Sequence, residues 1–348
     1  MAEILKIDGS MGEGGGQVLR TALALAILTQ TPIHLYNVRA GRKKPGLQPQ
    51  HLKAVEAAAA ICGGQARGAA LNSRELFFMP GEVHAGRYRF DIGTAGSAPL
   101  VLQTIFLPLA RAQGSSTVTI TGGTHVPHSP CYHYLERQWL PTLQKLGLWA
   151  RLSLEQAGFY PQGGGTITAQ IRPVRAIAPL EQMERGRLLR VRGVTAVANL
   201  DPDIAKRQKL QALRRLEPLC RDSKIETIQL TSPGKGSLLL VQGEFEQATC
   251  CYFGLGAIGK RAEQVADEAV DAFNAFLASG GAVDEYLADQ LILPLALAAG
   301  PSRFRTARVT RHLLTQAALV PLFLPVRVEI DAPEGQPATV SLWPENKA

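Results

Sequence analysis

The chain has 348 residues, 46% hydrophobic and 19% charged, so it can bury a sizeable core and is globular rather than disordered. Lysine and arginine exceed aspartate and glutamate by 37 to 29, a net +8 that favours anionic partners without dictating a fold. No apolar run reaches the roughly 18 residues of a membrane span, no charged-then-apolar leader opens the sequence, and the five irregularly spaced cysteines exclude a disulfide framework or a CxxC pair. A reducing cytoplasm is the expected location, with no membrane and no obligatory protein partner.

In chain order, Leu5 to Asp8 predicts a strand, Gly12 to Gly16 a glycine loop, Val18 to Thr29 an apolar helix and Ile33 to Val38 a strand. The order recurs with strand Tyr88 to Asp91, glycine loop Gly93 to Ser97, helix Leu100 to Ala112 and strand Thr117 to Thr121. Each copy continues with a second helix, His51 to Ile61 and Tyr134 to Leu146, and with further strands. A third copy is expected to open at Phe159 to Gly165 with strand Thr166 to Ile171. Its helices come far downstream, Glu285 to Ala299 and His312 to Leu322, around strand Phe304 to Val309. The segment between has its own strands (Leu188 to Val194, Ile225 to Leu230, a pair over Leu238 to Gly254) and helices (Pro202 to Leu216, Arg261 to Ser279). The expected class is α/β (α+β). Three repeated βαβα-ββ units form a large domain over 1–184 and 280–348, and a smaller α/β domain is inserted at 185–279.

Each second helix opens near a histidine: His51, His133 or His312. Either a three-fold arrangement gathers these rings at one cleft, or duplication copied a residue that tolerates helix starts. Both readings stand on sequence alone.

The stretch Arg39 to Lys53 carries Arg39, Arg42, Lys43, Lys44 and Lys53 among glycines and prolines, ahead of a helix start and without interleaved aromatics. That pattern suits a terminal phosphate better than stacked bases; a solvated loop is the alternative. The glycine loop before Gln17 lets backbone approach a ligand closely and presents Glu13, a carboxylate fit for a divalent cation on phosphate oxygens. It is neither a Walker A loop nor a dinucleotide fingerprint, and Pro233 to Ser237 only hints at a P-loop. His125, His128, Cys131 and His133 offer zinc-type donors, but two prolines stiffen the segment and structural zinc sites pair ligand dyads across longer loops. A loop bordering the cleft is expected instead. Tyr286, Asp289 and Gln290 place a flat ring and hydrogen-bonding groups one helical turn apart, although on spacing alone the acid reads as a helix cap. The basic helix with Lys206, Arg207, Lys209, Arg214 and Arg215 faces either RNA or water.

Taken together, Asp8 to Arg20, Arg39-Ala-Gly-Arg42-x-Lys44-Pro-Gly-Leu47, Gln50-His51-Leu52, Gly158 to Gly165, Glu285 to Leu291 and His312 to Thr315 resemble the RNA 3′-terminal phosphate cyclases. The match is in order and spans nearly the whole chain. The resemblance implies three units of two helices on a four-stranded sheet, and a thioredoxin-like insert. It implies ATP as substrate, Mg2+ or Mn2+ as metal, and RNA 3′-phosphate ends as partner. A histidine attacks the α-phosphorus of ATP, AMP passes to the RNA 3′-phosphate, and the 2′-hydroxyl displaces AMP to close a 2′,3′-cyclic phosphate. On this pattern His312 is the nucleophile. Gln103, Pro130, Tyr286, Leu287, Ala288, Asp289 and Gln290 bind ATP, with Pro130 against adenine. Arg20, Arg39, Arg42, Gln50 and His51 hold the RNA phosphate, and Glu13 touches the metal. The sequence departs from the pattern around His125 to His133, where small polar residues are the familiar ones. A cyclase-like ribosome-assembly protein, which lacks the nucleophile, and an enolpyruvyl transferase, with six copies of the unit, are the competing resemblances. His312 argues against the first, and three copies with an insert against the second.

Overall fold

The computed structural model describes residues 3–345. Its first sheet contains β1 (Leu5–Asp8), β2 (Ile33–Tyr36), β3 (Gln65–Arg67) and β4 (Leu76–Met79) in the order β1-β2-β4-β3. The parallel pair β1 and β2 is joined through helix α1 (Gly16–Thr29), and the antiparallel strands β3 and β4 follow α2 (Pro49–Cys62). A second sheet repeats this order as β5-β6-β8-β7, from β5 (Arg87–Asp91), β6 (Ser116–Gly122), β7 (Ala150–Gln156) and β8 (Gly165–Ile171). Helix α3 (Ala98–Ala110) makes its crossover, and its second helix is broken into α4 (Tyr132–Tyr134), a π-helical segment Leu135–Trp139 and α5 (Leu140–Lys145). The third sheet opens with β9 (Glu181–Gln182) and is then interrupted.

The interruption is a sheet of the order β11-β10-β12-β13: β10 (Leu188–Ala198), β11 (Ser223–Gln229), β12 (Gly236–Phe245) and β13 (Thr249–Leu255). Helices α6 (Asp203–Leu216) and α7 (Ala262–Ser279) pack on it over an apolar cluster that includes Val241, Tyr252, Phe273 and Phe276. The chain then returns to the third unit with α8 (Glu285–Ala296), β14 (Ser302–Thr306), α9 (Arg311–Leu319), β15 (Val326–Ile330) and β16 (Ala338–Pro344). Its order, β9-β14-β16-β15, matches the first two sheets.

Two expectations need correcting. Thr166 to Ile171 does not open the third unit. It lies in β8, hydrogen-bonded antiparallel to β6 and β7 as the closing strand of the second. The third unit begins instead at β9, two residues paired parallel to β14. The helix expected from Tyr134 to Leu146 is not continuous α-helix, because its middle turn runs as the π segment.

Helix α1 is buried from Gly16 to Ile27 apart from Arg20, and it packs against α2, α3 and α9. A helix apolar on all sides belongs in the interior, and that packing holds its N-terminus in place. Among the described residues no helix is long and apolar enough to cross a membrane.

Candidate active site

The site is built around that N-terminus. Gly15 caps α1 without a side-chain hydrogen bond, so the first backbone N–H groups and the positive dipole end stay available to an anion. Gly12 turns the preceding loop at φ +59°, and a Cβ there would run into the Thr315 hydroxyl. At Gly16 a Cβ would strike both His51 Nε2 and Arg20 Nη1. Side chains from the first and third units thus crowd against one glycine loop. Only glycine leaves them room.

Thr310 caps α9 by accepting from Leu313 N (3.1 Å), which sets His312 in the first turn. His312 Nδ1 lies 2.7 Å from Gln17 Oε1, and Gln17 Nε2 donates to Asp289 Oδ2, also at 2.7 Å. With Asp289 ionised, the amide N–H is directed at the carboxylate and its oxygen faces the ring and accepts, so the proton sits on Nδ1 and Nε2 keeps a lone pair. Burial, Arg20 and Arg42 hold the His312 pKa below its ordinary 6.5 against the pull of Glu13, so the ring is neutral at pH 7. Burial pushes the Asp289 carboxyl up to about 8, although Arg20 opposes the shift.

Facing this chain is a cluster of donors. Gln48 N donates to His51 Nδ1 (3.3 Å), which leaves the buried Nε2–H of His51 directed at Gly16. Burial and the neighbouring Arg20, Arg39 and Arg42 hold the His51 pKa down to about 2, so this ring donates as a neutral group. Arg20 is itself lowered to about 10 by burial, with Glu13 and Asp289 pulling the other way. Arg42 pairs with Glu13, whose backbone N–H donates to Thr315 Oγ1 (3.1 Å) and whose Oε1 lies 3.9 Å from His312 Nδ1. Arg39 has a second duty. Its Nη1 donates to the carbonyls of Lys44 and Gly46 (both 2.7 Å) and so pins the basic loop, while its buried Nε has no partner among the described residues.

Gln50 ties this cluster to the second unit, accepting at Oε1 from Ser97 N (2.8 Å). On the other side Gln103 Nε2 donates to Gln290 Oε1 (2.5 Å), linking α3 to α8. Tyr286 is 49% exposed and meets Tyr252 edge-on, whereas Leu287 and Ala288 are buried in the core. The cap of α8 is Asp284, which accepts from Tyr286 N and Leu287 N, so Asp289 is free of the capping role that spacing suggested. None of the hydrogen bonds of the Gln17–Asp289–His312 group reaches Pro130.

The histidines divide accordingly. His51 and His312 flank the α1 N-terminus; His133 does not join them through hydrogen bonds. It is buried against His125 (Nδ1···Nε2, 2.8 Å), whose Nδ1 in turn meets Thr124 Oγ1 at 2.7 Å. Three of the four ring nitrogens are thereby occupied, and no group of three metal-ligating side chains occurs among the described residues. On α6, Lys206, Arg207 and Arg215 are paired with Asp203, Glu263, Asp267 and Asp271. Sequence reasoning missed Gln17 and Thr315 as site residues; the one hint was a glutamine inside an otherwise apolar helix start.

A glycine-built helix N-terminus beside a neutral, oriented histidine suits nucleotidyl- or phosphoryl-transfer chemistry. The family model for RNA 3′-terminal phosphate cyclase matches residues 11–330. The RNA 3′-terminal phosphate cyclase of Nostoc punctiforme is 44% identical over 327 residues, covering 92% of this chain and 94% of that protein. That of Ralstonia nicotianae is 44% identical over 334 residues (95% and 94%), and that of Salmonella enteritidis 43% over 334 residues (96% and 97%). A solved enolpyruvyl transferase from Streptomyces tendae aligns at 11% identity and TM-score 0.26, covering 100% of this chain and 66% of its own. The chain belongs to the RNA 3′-terminal phosphate cyclase family.

Proposed function

We propose that this enzyme uses ATP to convert the 3′-terminal phosphate of RNA into a 2′,3′-cyclic phosphate, through a histidine-bound adenylate. The observation that carries the proposal is the Asp289–Gln17–His312 chain, which with Asp289 ionised leaves an unprotonated Nε2 facing away from Gln17. That nitrogen attacks the α-phosphorus of ATP, the bond to the bridging oxygen breaks, and pyrophosphate leaves. An oxygen of the RNA 3′-phosphate then takes the adenylyl group, breaking the phosphorus–nitrogen bond and restoring the imidazole. Finally O2′ attacks the activated 3′-phosphorus, loses its proton and expels AMP. The neighbouring position of O2′ makes this last step intramolecular and fast.

In this reading Arg20, Arg39, Arg42, Gln50 and the Nε2–H of His51 hold the RNA phosphate, supported by the convergence of Arg20, Arg42 and His51 on the uncapped start of α1 and by Arg39 beside His51. Gln103, Asp289, Gln290 and the open ring of Tyr286 line the nucleotide side with Pro130, and the buried Leu287 and Ala288 fix the helix that carries them. Glu13 is a single carboxylate, which fits a Mg2+ or Mn2+ shared with the triphosphate rather than caged by protein. Such a cation offsets the charge of the phosphates. The division into a large domain (1–184 and 280–348) and a thioredoxin-like insert (185–279) belongs to the same reading, supported by the separate apolar cluster under α6 and α7. The free state of all five cysteines supports a cytoplasmic home.

The test is product formation. RNA carrying a 3′-phosphate, incubated with enzyme, ATP and Mg2+, acquires an end resistant to phosphatase; an end that stays phosphatase-sensitive contradicts the proposal.

A further inference from the structure

We propose that the open face of the β5-β6-β8-β7 sheet is a second RNA-binding surface, which holds the single strand upstream of the reacting 3′ end; this rests on the cyclase reading above. Strand alternation sends Val118, Ile120, Ile167 and Ala169 into the core and turns the intervening residues outward. One outward row runs Arg87–Thr117–Gln170–Arg151 across all four strands. Arg89 lies two residues further along β5 on the same face, and both it and Arg87 are exposed. At the β7 edge a concavity of about 460 Å³ is lined by Thr117, Gln170 and Arg151 together with Trp149 and Arg172.

The equivalent face of the third sheet is an internal control. There Arg303 pairs with Glu181, Arg327 pairs with Glu329, and the Arg327 guanidinium lies 4.1 Å over the Trp343 ring. Arg303, Arg327 and Trp343 are thus satisfied by an acid or by each other, and among the described residues Arg305 alone of the arginines in β14 and β15 is left open. On the second sheet the same residue types are left open. Arg87, Arg89, Arg151 and Arg172 have no ion-pair partner among the described residues, and Trp149 is 55% exposed with no cation over it. Exposed arginine forks suit phosphodiesters, an exposed indole suits a base, and threonine and glutamine between them suit 2′-hydroxyls.

The surface is also placed for a strand whose end lies at His51. From Arg87, β5 runs about 13 Å to Asp91 and enters the loop whose Ser97 N donates to Gln50, the neighbour of His51. A stacked strand advances roughly 3.4 Å per nucleotide, so several nucleotides reach the row and a dinucleotide does not.

The experiment uses the full-length protein and a 3′-hydroxyl oligoribonucleotide of about a dozen residues, which binds without reacting. Trp149→Ala is expected to weaken its binding about tenfold. Arg151→Ala/Arg172→Ala is expected to lower the slope of log affinity against log salt by roughly 1.4. Both variants keep wild-type self-adenylylation and wild-type turnover of a 3′-phosphorylated dinucleotide. RNA affinity unchanged in both variants overturns the proposal, as it does if their oligomeric state changes instead, which would mark a protein interface. Equal losses on the dinucleotide also overturn it. Because the probe needs no catalysis, failure here is separate from failure of the cyclase reading, which shows as a wild-type protein that takes no adenylate.

Discussion

His312 Nδ1 meets the side-chain oxygen of Gln17 at 2.7 Å across 295 residues of sequence, and this contact decides which ring nitrogen can react. Gln17→Ala removes the acceptor and lets the ring rotate and change tautomer. Adenylate transfer to the enzyme is expected to fall about a hundredfold, with the unfolding midpoint nearly unchanged. Gln17→Glu places a carboxylate on the ring, raises the His312 pKa and moves the pH dependence of adenylylation upward. Single-turnover adduct formation checks both, and a Gln17→Ala rate within a few-fold of wild type contradicts the assignment.

The far end of the chain sets a pH dependence. Burial puts Asp289 at about 8. Below that value the carboxyl is protonated and can donate to Gln17, so the amide turns its N–H to His312 and the ring proton moves to Nε2. Adenylylation is therefore expected to rise as pH climbs through about 8 and then to level off. His312 is not the titrating group, because its pKa lies below 6.5. Asp289→Asn gives a lower, flat profile; a flat wild-type profile rules the account out.

Arg42 pairs with Glu13 at the mouth of the basic loop and is 46% exposed. Arg42→Ala is expected to leave self-adenylylation within a few-fold of wild type while raising KM for 3′-phosphorylated RNA about tenfold or more. Equal losses in the two reactions mean that the loop serves ATP instead.

The buried pair His125 and His133 makes the fold acid-sensitive. Burial holds His125 well below 6.5 and His133 down to about 4, so the unfolded chain binds more protons. Their contribution is fully present above about 6.5 and is lost as pH falls towards about 4. His133 alone accounts for about 2 kcal/mol between about pH 7 and pH 5. Urea unfolding of wild type and His133→Gln at the two pH values checks this. The variant loses less on acidification, though not nothing, since His51 is shifted the same way. Equal losses in the two proteins contradict it.

The architecture was legible where periodicity is strong. The apolar runs of α1 and α3 and the alternation in β6 and β8 announce themselves. The allotment of β8 failed because a glycine-rich loop precedes it, as one precedes α1, while β9 has two residues and no pattern to read. At the site, His312, Arg20 and His51 stand in quotable motifs, but the bonds that orient His312 join residues 272 and 295 positions apart. Such pairings depend on how the units pack. The capping reading of Asp289 failed for a similar reason: Asp284, one residue before α8, already fills that role.

One measurement bears on all of this most directly. Wild-type protein is incubated with ATP and Mg2+, digested, and the adenylylated peptide located by mass spectrometry. The account predicts one adenylyl group on the peptide carrying His312, attached through Nε2, labile in acid and absent from His312→Ala. A folded wild-type protein that acquires no adenylate, or carries it on another residue, contradicts it.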